Sequence, residues 1–224
     1  MKLFLRTMTS AVVGLIVLGA LVFFPAGTFD YWQGWAFIVV ISVSTNIIGV
    51  YLAVKDPVLL ERRMKAGPAA ETRPAQKIAI SLAAVGFLAL PAVSALDHRM
   101  GWSSVSPAVS ILGDVLVATG LMIDLAVFRV NSFGGSTVET MAGQSVISTG
   151  PYALMRHPMY VGVLVMVTGV PLALGSWWGL LFLLLNVPIL MWRIIDEETM
   201  LRKDLQGYDA YAEKVRYRLL PYVW

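Results

Sequence analysis

The sequence contains no cysteine and two histidines, His98 and His157. The first absence excludes disulfides, thiol nucleophiles, Cys-ligated zinc and iron–sulfur clusters. The second leaves too few imidazoles for a His-rich metal site, and no metal is expected. Charge is scarce as well. Asp, Glu, Lys and Arg make up 14% of the 224 residues, against about 25% in an ordinary soluble domain. What fills the chain instead is apolar: 58% of residues are hydrophobic and the mean hydropathy is +0.73. Those values argue against a water-soluble globule, a disordered chain and a coiled coil. The formal net charge is +3, so a pI of 9.2 does not imply a nucleic-acid partner.

A helix crosses the hydrocarbon core with roughly 17–25 residues. The segments Met8–Phe24, Trp32–Val54, Ile78–Leu96, Pro107–Val127, Met159–Leu174 and Trp177–Ile195 meet or approach that length. The predicted fold is all-α and polytopic, with about six transmembrane helices and a cytosolic C-terminal helix. The fifth segment is short, and Gly175-Ser176 separates it from the sixth, so those two are expected to form a tight helical hairpin. With the N-terminus in the cytosol, every Lys and Arg of the 17 except Arg99 lies on the inner side. The positive-inside rule therefore predicts an integral membrane protein of the bacterial inner-membrane type with both termini cytosolic. The first span is expected to be a retained signal anchor, because Leu21–Pro25 offers no small-x-small cleavage site. Trp32, Trp35, Trp102, Trp177 and Trp178 fall at outward-facing span ends, as an aromatic belt does.

The chain divides by texture at about residue 130. Residues 1–130 are four spans with a basic loop, 55–77, that begins as an interfacial helix with Pro57 in its first turn. This loop is expected to be solvated and held by anionic lipid, in preference to a substrate role. Residues 131–224 carry denser polar signals. Residues 131–156 have no apolar run, and an unstructured connection that long is usually functional or disordered. Leu201, Leu205, Tyr208, Ala212 and Val215 recur at helical spacing and predict an amphipathic helix, which Gly207 should weaken or break.

Two carboxylates fall inside the fourth span. Asp114 reads as interfacial; Asp124 is either a structural partner of Arg129 or another helix, or a functional group. The densest motif runs from Gly150-Pro151-Tyr152 through Arg156-His157-Pro158-Met159-Tyr160 to Gly162. Pro158 suits a helix start, which sets His157 beside an N-terminus that attracts anions. Tyr152 and Tyr160 offer aromatic faces to a cation. The alternatives are a His cap and a Tyr interface anchor. A second motif, Trp192–Leu201, places Arg193 and Glu197 one turn apart on one face at the same inner surface. Its plain explanation is a snorkelling Arg paired with a Glu.

In order and spacing these motifs, with Asp196-Glu197-Glu198, Leu201, Tyr208, Tyr211 and the terminal Arg218–Pro221, resemble the isoprenylcysteine carboxyl methyltransferase and phospholipid methyltransferase superfamily. The resemblance covers about the last 95 residues. It implies S-adenosylmethionine as cofactor, bound on the cytosolic side beneath a C-terminal lid. By motif, Tyr152, His157, Pro158, Met159 and Tyr160 would contact it, Glu197 would hold its polar end, and Gln144, Val146 and Ile147 would line its cavity through backbone groups. Arg193 would reach the substrate. A further amide that such enzymes carry in the preceding loop corresponds by spacing to Thr137. The expected acceptor is lipophilic and enters from the bilayer: a carboxylate of isoprenylcysteine type first, a phospholipid amine or a thiol as alternatives. A sterol-type NADPH reductase and a membrane scaffold without activity are the competing readings. Membrane lipids are the expected surroundings, and the sequence is silent on oligomeric state.

Overall fold

The computed structural model describes residues 2–141 and 143–224. Among them there is no strand. The long helices are α1 (Lys2–Ala26), α2 (Trp32–Lys55), α4 (Pro74–Met100), α5 (Pro107–Phe128) and α7 (Leu181–Asp204); α3 (Pro57–Met64), α6 (Pro158–Ala173) and α8 (Tyr208–Lys214) are shorter. Proline opens α3, α4, α5 and α6, where its missing N–H costs nothing. Asp56 caps α3 by accepting from the Leu59 amide at 2.9 Å.

Five helices are long and apolar enough to cross a membrane. Their flanks leave Leu15, Ile16, Val39, Val43, Val85, Leu184 and Leu185 exposed, a belt that hydrocarbon can cover. The fold is that of a polytopic membrane protein. α6 has 16 residues, so the fifth expected span, Met159–Leu174, is as short as its sequence suggests and falls below the ordinary length, whereas the sixth lies in a helix long enough to cross. The expected hairpin is corrected. α6 lies along α5, whereas α7 packs mainly against α4. α6 and α7 meet around Tyr160, Leu164, Leu190 and Ile194.

Glycine explains why α6 chooses α5. Gly113 and Gly120 of α5 face Gly162 and Gly169 of α6, each pair seven residues apart. A Cβ built on Gly169 would lie 2.6 Å from the Gly113 carbonyl oxygen, and one on Gly120 would lie 2.6 Å from the Met166 nitrogen. Lipid exerts no hydrophobic drive between helices, so close backbone packing of small residues does that work. The seam also buries Asp124, whose Oδ1 has no hydrogen-bond partner among the described residues and lies against Gly162. Asp124 does not pair with Arg129, which sits over the Tyr51 ring. Asp114, read as interfacial, is buried too.

The amphipathic tail is built as its spacing predicts. α7 ends at Asp204, Gly207 takes φ 86°, and α8 restarts at Tyr208. The break turns Leu205, Tyr208, Tyr211, Ala212 and Val215 into one buried cluster with Val146 and Leu201.

Candidate active site

The inner end of α7 presents charged groups on adjacent faces. Arg193 and Glu197 do not pair directly; the Tyr160 hydroxyl stands between them. It accepts from Arg193 Nε at 3.1 Å and donates to Glu197 Oε2 at 2.6 Å. Glu197 Oε1 has no hydrogen-bond partner among the described residues. A single position along the helix turns the next side chain by about 100°, and Glu198 points into protein. Its carboxylate accepts from Arg156 Nε at 2.6 Å and Arg218 Nε at 2.9 Å, and meets His157 Nε2 at 3.2 Å.

Arg156 completes that hub. Its Nη1 donates to the carbonyls of Val215 and Arg216, both at 2.9 Å, beyond the C-terminus of α8. The backbone amides of Arg156 and His157 donate to the carbonyls of Tyr217 and Arg218. The tail is thereby tied back over the start of α6. Glu198 and Arg156 were absent from the residues expected to form the site, although the motifs that contain them stood out.

The basic loop is solvated only in part: Lys55, Glu61, Lys65 and Lys77 are exposed as expected, but Glu71 and Gln76 turn inward. Glu71 is 2% exposed; it accepts from Arg193 Nη1 at 2.9 Å and from the Val138 amide at 3.1 Å. Gln76 accepts from the same nitrogen at 2.7 Å, and Arg193 Nη2 donates to the Ser136 carbonyl at 3.2 Å. Arg73 forms a two-pronged pair with Asp196 at 2.6 and 3.0 Å. A buried carboxylate in the loop attracts the buried guanidinium of α7, and the loop follows it inward. No local pattern in the sequence marks Glu71 for this, since its partner is 122 residues away.

These elements enclose a cavity of about 400 Å³. That is within the roughly 300–1,000 Å³ of small-molecule sites. Of the expected residues, Gln144, Val146, Ile147, Tyr152, His157, Met159, Tyr160, Arg193 and Glu197 line it; Pro158 is buried behind them as the first residue of α6. Thr137 lines it as well, but its hydroxyl donates to Glu139. The loop amide that engages a motif residue is Asn131, which donates to the Tyr152 hydroxyl at 2.7 Å. Burial pushes the Tyr152 hydroxyl up to about 12, and burial also raises Tyr208 and Tyr211. All three are therefore neutral near pH 7 and present ring faces and hydroxyl dipoles rather than charge. At the other end of the cavity Ile80, Ala83, Val163 and Leu190 make the wall apolar, between α4, α6 and α7.

Residues 108–206 match the phospholipid methyltransferase family. That family is part of the isoprenylcysteine carboxyl methyltransferase and phospholipid methyltransferase superfamily, which the motifs of this chain resemble. The chain is also 30% identical over 94 residues to a Delta(14)-sterol reductase of Mus musculus, a match covering 41% of this chain and 22% of that relative. The chain thus spans about a fifth of the reductase it matches. The matched stretch holds α5 from its second residue, α6, α7 and the loop between α5 and α6. Arg63 from α3 and Tyr208 and Tyr211 from α8 add cavity wall from outside it. Among the described residues no cluster of His, Asp and Glu could hold a metal ion.

Proposed function

We propose that the protein is a membrane-embedded methyltransferase that uses S-adenosylmethionine to methylate a lipophilic acceptor. One observation carries this reading. Two motifs about forty residues apart, one centred on His157 and Tyr160 and the other on Glu197, line one cavity with a polar end and an apolar end. The cofactor, when bound, supplies a methyl group on a cationic sulfur. The residues present suit such a molecule. Glu197 Oε1 is an open acceptor for an ammonium group, and the rings of Tyr152, Tyr208 and Tyr211 favour positive charge. The start of α6 has no side-chain cap, and its dipole favours a carboxylate. Backbone at 144–147 lines the same space. By the distribution of Lys and Arg, this end of the bundle faces the cytosol, and so do both termini.

The protein's own contribution is to align the reactants and keep water out, tasks that a narrow cavity under a tied-down tail can perform. Lipid tails would enter beside Ile80 and Leu190. The acceptor that the wall suits best is not the isoprenylcysteine carboxylate, because Arg193 is already paired with Glu71. A substrate carboxylate would have to displace a buried partner, leaving Glu71 uncompensated. A phospholipid amine or a thiol needs no such exchange.

The cofactor is tested by equilibrium binding of S-adenosylhomocysteine to detergent-purified protein, with NADPH titrated in parallel. The methyltransferase reading expects saturable binding of the first. Binding of NADPH alone would move the chain to the second reading, a sterol-type reductase, which the mouse relative favours. Membranes given methyl-labelled cofactor then report the acceptor as a base-labile ester, an amine or a volatile sulfide. Glu197→Ala should abolish turnover in a folded protein, whereas Arg193→Ala also strips buried Glu71 of its partner and should lower stability; a scaffold would keep its phenotype with Glu197→Ala.

A further inference from the structure

Three arginines line the cavity, and they differ in what neutralises them. Arg156 is paired with Glu198, and Arg193 with Glu71. Arg63 has no carboxylate within salt-bridge distance among the described residues. Its Nη1 donates to the carbonyls of Gly134 at 3.0 Å and Gly135 at 3.5 Å and lies 3.5 Å from Met159 Sδ. The guanidinium carbon sits 4.2 Å from the centre of the Phe128 ring. Nε and Nη2 make no hydrogen bond among the described residues. Asp124 acts on Arg63 electrostatically without touching it, and burial pushes the guanidinium down from its ordinary range. Met159 is the second residue of α6, so Arg63 stands beside the uncapped helix start.

We propose that Arg63 holds the anionic end of the ligand that occupies this cavity, a carboxylate or a phosphate. A half-buried cation with no carboxylate at salt-bridge distance is favoured by a bound anion that pairs with it. The free Nε and Nη2 form one edge of the guanidinium fork, the geometry that grips two oxygens of one anion. The carbonyls and the ring hold the other nitrogen and so fix the direction of that edge. Arg193 cannot take this role while Glu71 and Gln76 occupy its Nη1. The nature of the anion rests on the proposed function. A carboxylate would belong to the amino-acid end of the methyl donor, and a phosphate to the headgroup of a lipid acceptor.

The full chain in lipid nanodiscs tests this with Arg63→Gln. Three probes are titrated: S-adenosylhomocysteine, its decarboxylated analogue, and dihexanoyl phosphatidylethanolamine. If the anion is the donor carboxylate, Arg63→Gln weakens S-adenosylhomocysteine by about tenfold or more and the decarboxylated analogue by less than about twofold. If it is the lipid phosphate, the loss falls on the phosphatidylethanolamine alone, and Arg63→Lys restores part of it. Equal affinities of native and Arg63→Gln protein for all three probes overturn the proposal, as does native protein that binds none. Native protein that binds the lipid probe but not S-adenosylhomocysteine overturns the methyltransferase reading, and the lipid arm still decides Arg63. A second measurement needs no variant. Saturating S-adenosylhomocysteine or dihexanoyl phosphatidylethanolamine should protect Arg63 of the native protein from an arginine-specific dicarbonyl reagent, and labelling unchanged by both also refutes the proposal.

Discussion

At the tryptophan end of the bundle, Asp97 accepts from the Ser103 amide at 2.8 Å, the Ser103 hydroxyl at 2.6 Å and the Ser176 hydroxyl at 2.5 Å. Ser176 in turn accepts from the Gly179 amide, and the Tyr31 hydroxyl donates to the Leu174 carbonyl while its ring stacks on His98. Each of these groups is satisfied by protein. At the opposite end, the Glu198–Arg156 and Glu71–Arg193 pairs anchor two further buried networks. There, however, Glu197 Oε1 and one edge of Arg63 stay open toward a cavity. Both ends are buried, polar and assembled from distant segments. A closed network holds helices in register, whereas an open one can bind something. Burial of charge alone does not separate the two; unused hydrogen-bonding capacity facing a cavity does.

The contrast can be broken most severely at Glu198. Glu198→Ala leaves Arg156 buried without its carboxylate, at a cost of about 3–5 kcal/mol. A large fall in thermal denaturation midpoint is expected, together with loss of S-adenosylhomocysteine binding, because the tail over the cavity is released. Asp97→Asn comes next. It turns an acceptor toward donors from Ser103 and Ser176 into a partial donor, at a cost of about 1–3 kcal/mol. Its affinity for S-adenosylhomocysteine should match that of the native protein, and a parallel loss of binding would show that the two ends are one functional unit. The smallest effect is expected at Tyr160. Tyr160→Phe deprives Arg193 Nε and Glu197 of one hydrogen bond each, at about 1 kcal/mol. Stability should change little, while S-adenosylhomocysteine affinity falls by about fivefold as Glu197 loses its fixed orientation. An unaltered affinity would detach Tyr160 from the presentation of Glu197.

Much of the fold was legible beforehand because a membrane helix must satisfy its backbone internally and be apolar over a known length. Span positions, the Pro57 helix start and the break at Gly207 all follow from local rules. The exposed state of Trp32, Trp35, Trp102, Trp177 and Trp178 agrees with an aromatic belt. The neighbour of each span was less accessible. The hairpin expected of α6 and α7 came from their short connection, yet paired glycines seven residues apart on α5 and α6 decide the packing. That signal is present in the sequence, but each half is ordinary until the other is set against it.

The site divides in the same way. The amino-acid sequence by itself determined that motifs around His157 and around Glu197 sit at the ends of apolar helices on the basic side of the bundle, because hydropathy and spacing are properties of contiguous chain. Only the tertiary structure decided that Glu198 anchors the tail while Glu197 faces the cavity, since adjacent helical positions differ by about 100° and a neighbour must choose between them. It alone brought Glu71 to Arg193 and left Arg63 uncompensated. Charge neutralisation depends on separations of a few ångströms between residues far apart in the chain, and no local pattern encodes those.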